Sequence, residues 1–167
     1  MSEYNASSIQ LLEEMEHLQK RMTMWVGSKS SPIHLFREVF NNSVDEHIAG
    51  FGSKIDVVRY KDGSMSVRDY GRGIPVDIHP KAGLPAVEVV FTKLYTGGKF
   101  DNDNYKVSAG LNGVGLTAVT ALSDRVRVKV FRDKKMYLIE FGNGKTTRKL
   151  TSTDKNTNFH AGTLIRI

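Results

Sequence analysis

The chain has 167 residues, 40% of them hydrophobic and 25% charged, no cysteine, and a formal charge of +6 from 24 Lys and Arg against 18 Asp and Glu. That length suits one domain with a real core rather than two, and the missing cysteines exclude disulfides and thiolate metal sites. No run approaches the roughly 18–20 apolar residues of a membrane span, and Met1–Asn5 opens no secretory leader, so a cytoplasmic protein is expected. The excess positive charge fits a nucleic-acid or phosphate partner and fits a solvated basic surface equally well.

Residues 8–22 are expected to form a helix, with Ser8 as N-cap and Ile9, Leu12, Met15, Leu18 and Met22 recurring at helical steps. A second helix is expected over 32–49, with Pro32 in its first turn and Gly50 past its end. Residues 55–60 and 65–69 read as strands of a hairpin around Lys61–Ser64. A short helix over 85–94 follows, then a glycine-rich stretch from Tyr95 to Gly113, too long for a simple connection. An apolar, buried helix is expected over 114–123, and strands over 125–132, 135–141, 146–152 and 162–167, with Arg132–Lys135 as a hairpin turn. Helices first and strands later predict an α/β (α+β) two-layer sandwich: a mostly antiparallel mixed sheet with helices on one face.

On the second helix, Phe36, Phe40, Val44 and His47 share one face, and Glu38, Asn42 and Asp45 share the opposite one. A solvated surface would also be polar there, yet an amide and two carboxylates at this spacing include hard oxygen ligands suited to Mg²⁺. A Glu one turn away can orient or deprotonate a water. Asp69 ends a strand and precedes Gly71 and Gly73; its carboxylate can accept from an exocyclic amine such as that of adenine, although Asp and Gly are also the usual residues of a plain turn. Arg72 and Pro75 can cover a base edge, and Arg72 can pair with Glu46 or another acid. Gly110-x-x-Gly113-x-Gly115 enters a helix and lets backbone N–H groups approach phosphate. It lacks the Gly-Lys-Ser/Thr of a P-loop, and no βαβ unit begins there. Gly97-Gly98-Lys99 adds a hinge and a cation, so the stretch from Tyr95 reads as a lid that orders on nucleotide binding. The five histidines (17, 34, 47, 79 and 160) show no metal-ligand spacing, and no nucleophile elbow supports a hydrolase triad. Trp25, Met22 and Met24 are expected to fill core or interface space.

As a set, these stretches resemble the GHKL, or Bergerat-fold, ATP-binding domains shared by type IIA topoisomerases, Hsp90, MutL and sensor histidine kinases. Glu38–Glu46, Val67–Pro75, Ile78–Pro80, Thr96–Asp101 and Tyr105–Gly115 are similar to the bacterial type IIA topoisomerase branch, that of gyrase B and ParE. The resemblance covers nearly the whole chain. It implies an ATP- and Mg²⁺-dependent ATPase whose dimer closure drives DNA strand passage, with Glu38 as general base and Asn42 as the Mg²⁺ ligand. It also implies that Asp69 binds the adenine amino group, helped by Gly73 and Thr163, and that Arg72, Ile74 and Pro75 border the base. The resemblance places Asp45 in the same nucleotide-binding set. Lys99, Tyr105 and Leu111, Asn112, Gly113, Val114 and Gly115 would contact the triphosphate, with Arg132 at the outer lip.

The resemblance implies further that residues 1–10, with Tyr4 and Ile9, form a dimerisation arm, and that DNA and a GyrA- or ParC-type protein are partners in the full-length enzyme. The chain is expected to be a single N-terminal ATP-binding domain lacking the transducer and DNA-cleavage regions, hence weakly active and monomeric alone. Arg21–Gly27 departs from the family's Arg-Pro-Gly-Met-Tyr-Ile-Gly. Ala109 stands where the family has glycine, which stiffens the segment, and Asn112 stands for a histidine while keeping a donor. Competing readings are a MutL-like repair ATPase, disfavoured by His79-Pro80 and Thr96–Lys99, and a non-catalytic basic module that binds nucleic acid.

Overall fold

A computed structural model describes residues 33–94, 115–153 and 159–167. Over them the chain runs α1 (Ile33–Ile48), β1 (Ile55–Arg59), β2 (Met65–Asp69), α2 (Ala86–Thr92), α3 (Gly115–Leu122), β3 (Val126–Arg132), β4 (Lys135–Gly142), β5 (Lys145–Ser152) and β6 (Gly162–Arg166). The helix expected over 8–22 and the stretch from Tyr95 to Gly113 lie outside the described residues.

The strands form one six-stranded sheet in the order β1-β2-β6-β3-β4-β5. All pairings among the described residues are antiparallel. Period-2 alternation sends Val126, Val128 and Val130 of β3 to one face and Arg127 and Lys129 to the other. The apolar face, with Val67, Ile139, Phe141 and Ile165, meets Val39, Val87, Phe91, Leu116 and Val119 from the three helices. The rings of Phe91 and Phe141 stack at 5.1 Å across that interface. The expected two-layer sandwich is therefore present.

Two hairpins join β3, β4 and β5. Asp133 (φ 53°) and Lys134 (φ 59°) are both left-handed, as are Asn143 (φ 50°) and Gly144 (φ 80°). Paired left-handed residues define the turn whose twist matches antiparallel strands. The Asn-Gly pair is the strongest short-range hairpin signal available, whereas Asp133-Lys134 adopts the same shape with a less suited second residue.

The face of α1 that carries Asp45 is not a solvated surface. Phe36 and Phe40 do stack, at 5.9 Å, and pack against the core. His47, however, is exposed and bonds the carbonyl of Gly52, while Val39, Ser43 and Asp45 are the buried residues of α1. Asp45 is only 1% exposed. The reason is that α1 is covered on more than one side, by β2 and by α3. Its polar face turns into the domain, which a single-helix reading of amphipathicity does not reveal.

The third helix buries six of its eight residues, as its composition predicts. Its Thr117 hydroxyl reaches the carbonyls of Lys93 (2.8 Å) and Val90 (3.3 Å) at the end of α2, where helix carbonyls lack partners of their own. On the other side of α2, Glu88 accepts from the Thr146 hydroxyl at 2.7 Å, fastening the helix to β5.

Candidate functional site

Asp69 is the last residue of β2, and its neighbour across the sheet is the start of β6. The ladder pairs Arg68 with Leu164, so the next step sets Asp69 opposite Thr163. There the Asp69 Oδ1 atom accepts from the N–H of Gly71 and from the N–H of Thr163, both at 3.1 Å. Asp69 is 5% exposed. Burial pushes its carboxyl above the ordinary carboxylate range; the two N–H groups pull the other way, and nearby Glu46 pushes it up further. Gly162 is required beside it, because a Cβ at that position would overlap the Asp69 carbonyl.

The turn after Asp69 is held by α1. Glu46 accepts at Oε1 from the backbone N–H and from Nε of Arg72, and at Oε2 from Nη2, each at 2.9 Å. Of the acids open to Arg72, Glu46 is thus the partner, in a two-pronged carboxylate–guanidinium pair. Gly71 must lack a side chain because a Cβ would run into the Glu46 stem. Gly73 is left-handed (φ +76°), and its carbonyl accepts from Arg132 Nη1 at 3.1 Å. Ile74 donates its N–H to the Thr163 hydroxyl at 3.1 Å. Pro75 is exposed beside it. Asp69, Arg72, Gly73, Ile74, Arg132 and Thr163 are thus brought together by the adjoining ends of β2, β6 and β3.

Glu38 lies two turns further toward the start of α1, about 12 Å from Glu46 along the axis at 1.5 Å per residue. Its carboxylate rests over the first residue of α3: a Cβ on Gly115 would overlap Glu38 Oε2. A helix N-terminus offers unpaired N–H groups and a dipole that favours negative charge. Asn42 and Asp45 lie between the two ends, Asn42 half-buried and Asp45 buried. Among the described residues no three His, Asp or Glu side chains gather as a metal cage. The Asn42 amide oxygen is a hard donor of the kind Mg²⁺ takes, with water and phosphate supplying the rest of its shell.

Lys99, Tyr105, Leu111, Asn112, Gly113 and Val114 lie outside the described residues. Sequence reasoning treated Glu46 only as a possible partner and passed over Gly162, Phe51 and Thr117. A glycine as the first residue of a strand is the one available signal for Gly162.

Fold and site define a class. The sequence matches the family described as histidine kinase-, DNA gyrase B- and HSP90-like ATPase over residues 27–164, and the chain belongs to that family. It is 45% identical over 166 residues to the B subunit of DNA topoisomerase 4 from Francisella tularensis, covering 99% of this chain and 26% of that protein. It is 46% identical over 171 residues to the B subunit of DNA gyrase from Thermotoga maritima, with the same coverage of 99% and 26%. The chain spans about a quarter of the length of these two relatives. The 43K ATPase domain of Thermus thermophilus gyrase B, solved with an aminocoumarin, superposes with a TM-score of 0.78 at 36% identity, covering 91% of this chain and 38% of that one. No helix among the described residues is long and apolar enough to cross a membrane.

Proposed function

We propose that this chain is the ATP-binding and ATP-hydrolysing domain of a cytoplasmic type II DNA topoisomerase of the gyrase B or ParE kind. One observation carries the reading. Helix α1 runs between a buried acceptor at one end, Asp69 with Glu46 and Arg72, and a carboxylate over a helix N-terminus at the other, Glu38 above Gly115. The arrangement suits a ligand with a hydrogen-bonding base at one end and phosphates at the other.

In this reading Asp69 accepts from the adenine amino group, with Thr163 and Gly73 completing the base edge through water. Arg72, Ile74 and Pro75 border the ring, and Arg132 stands at the lip. Asn42 holds Mg²⁺, which when bound neutralises phosphate charge, and Asp45 supports that stretch of the helix. Glu38 takes the proton of the attacking water; a positioned base of this type contributes about 10²–10⁴-fold. Lys99, Tyr105 and Leu111 to Gly115 serve the triphosphate. In the whole enzyme the partners are DNA, a GyrA- or ParC-type protein and a second copy engaged through residues 1–10.

Calorimetric titration with a non-hydrolysable ATP analogue, with and without Mg²⁺, tests this. Mg²⁺-dependent binding that survives Glu38→Ala and disappears with Asp69→Asn is expected. Steeply salt-dependent DNA binding with no nucleotide binding would instead identify a non-catalytic basic module.

A further inference from the structure

We infer that Phe51 is a positioning residue for adenine recognition, backing the Arg72 guanidinium so that this planar cation forms a fixed wall of the base site. The inference rests on the proposed reading of Arg72 as a border of the adenine.

The contact is built by the way α1 ends. Gly50 is left-handed (φ +88°), its N–H bonds the His47 carbonyl at 2.9 Å, and the Phe51 N–H bonds the Glu46 carbonyl at 3.1 Å. That pair of bonds reverses the chain in a Schellman motif. The reversal carries Phe51 back beside Glu46, the residue that grips Arg72. The Arg72 guanidinium carbon then lies 3.7 Å from the centre of the Phe51 ring.

Glu46 and Phe51 constrain different motions. The carboxylate holds one edge of the guanidinium in plane through Nε and Nη2. A fork of this kind still permits the plane to tilt, and a ring pressed on one face opposes the tilt. Phe51 is 40% exposed and is not part of the hydrophobic core, so core packing does not account for its position. The Arg72 side chain keeps 43% of its surface exposed, which leaves it within reach of a ligand. An arginine already held flat loses less freedom when a base stacks on it than one that must be ordered on binding.

The test is titration of the chain and its variants with a non-hydrolysable ATP analogue and Mg²⁺, with melting temperatures measured alongside. Phe51→Ala and Phe51→Leu are expected to weaken binding by about threefold to tenfold with little change in melting temperature. Phe51→Tyr, which restores the ring face, is expected to bind within about twofold of the parent. In an Arg72→Ala background, Phe51→Ala is expected to add almost nothing, because the two act as one unit. Unchanged affinity in Phe51→Ala, full affinity in Phe51→Leu, or an undiminished loss in the Arg72→Ala background overturns the inference. Failure of the underlying reading looks different: Arg72→Ala or Asp69→Asn would then bind the analogue as the parent does.

Discussion

Asp69 and Thr163, 94 residues apart, meet through a single hydrogen bond in which the Thr163 N–H donates to Asp69 Oδ1 at 3.1 Å. The same oxygen takes the Gly71 N–H, so one half of the carboxyl is committed to the protein. Under the proposed function, its other oxygen is the one that would recognise a ligand donor. Asp69→Asn can keep an oxygen for both N–H groups but turns an NH₂ toward the base. ATP-analogue affinity is expected to fall by about 100-fold or more, since a buried donor then faces a donor. Titration calorimetry checks this.

The same substitution has an opposite effect on stability. Burial raises the Asp69 carboxyl above its ordinary 3.8 in the folded chain. Its contribution to stability is therefore fully present below that ordinary value and is lost as pH rises through the raised one. Asn carries no such loss. Asp69→Asn is expected to melt at a higher temperature than the parent near neutral pH, with the advantage shrinking in acid. In the parent, analogue affinity is expected to rise as pH climbs through the raised value, because the ionised carboxylate is the better acceptor.

Gly115→Ala probes the other end of α1. Alanine at a helix start is ordinarily tolerated, yet here its Cβ meets the Glu38 carboxylate. With Glu38 as the proposed general base, the expected outcome is hydrolysis reduced by about 100-fold in the full-length enzyme, with analogue binding largely retained. Single-turnover kinetics beside a binding titration separate the two.

Thr163→Val removes the acceptor of the Ile74 N–H while preserving shape. Leaving that half-buried donor unpaired costs about 1–3 kcal/mol. Urea unfolding measures the cost, and weakened analogue binding should accompany it if Ile74 borders the base as proposed.

Glu140 lies on the far face of the sheet, where Arg127 Nε (2.6 Å) and Arg125 Nη2 (3.1 Å) grip it. Burial acts to raise its carboxyl, but the two guanidiniums outweigh this and hold it below its ordinary 4.5. Its stabilisation is thus present above 4.5 and lost as pH falls through the lowered value. Glu140→Gln is expected to cost about 1 kcal/mol at neutral pH, allowing for the exposure of Arg125. The difference should narrow in acid, and nucleotide binding should be unchanged.

What the sequence made legible follows from the range of the interactions. Strands and hairpins were readable because alternation in β2, β3 and β4 is local, and because Asp69 followed by Gly71 and Gly73 is a local pattern. The burial of Asp45 was not, since it depends on β2 and α3 closing over a face that a lone helix would leave in water. Glu46 beside Gly71, Gly162 beside Asp69 and Glu38 over Gly115 were equally invisible in advance. Each glycine is dictated by a side chain or carbonyl that is distant in sequence. Phe51 escaped notice because an aromatic past a helix end has no period to betray it.

The place of β6 in the sheet sets a birth order for the site. It is the last of the described strands, yet it sits between β2 and β3, so the β1-β2 pair and the β3-β4-β5 meander have no edge in common until it arrives. Thr163, Gly162 and the clamp on Asp69 arrive with it. As the chain leaves the ribosome, two unfinished sheets must wait for one insertion, and nucleotide competence should switch on within the few residues that deliver β6 rather than grow in gradually.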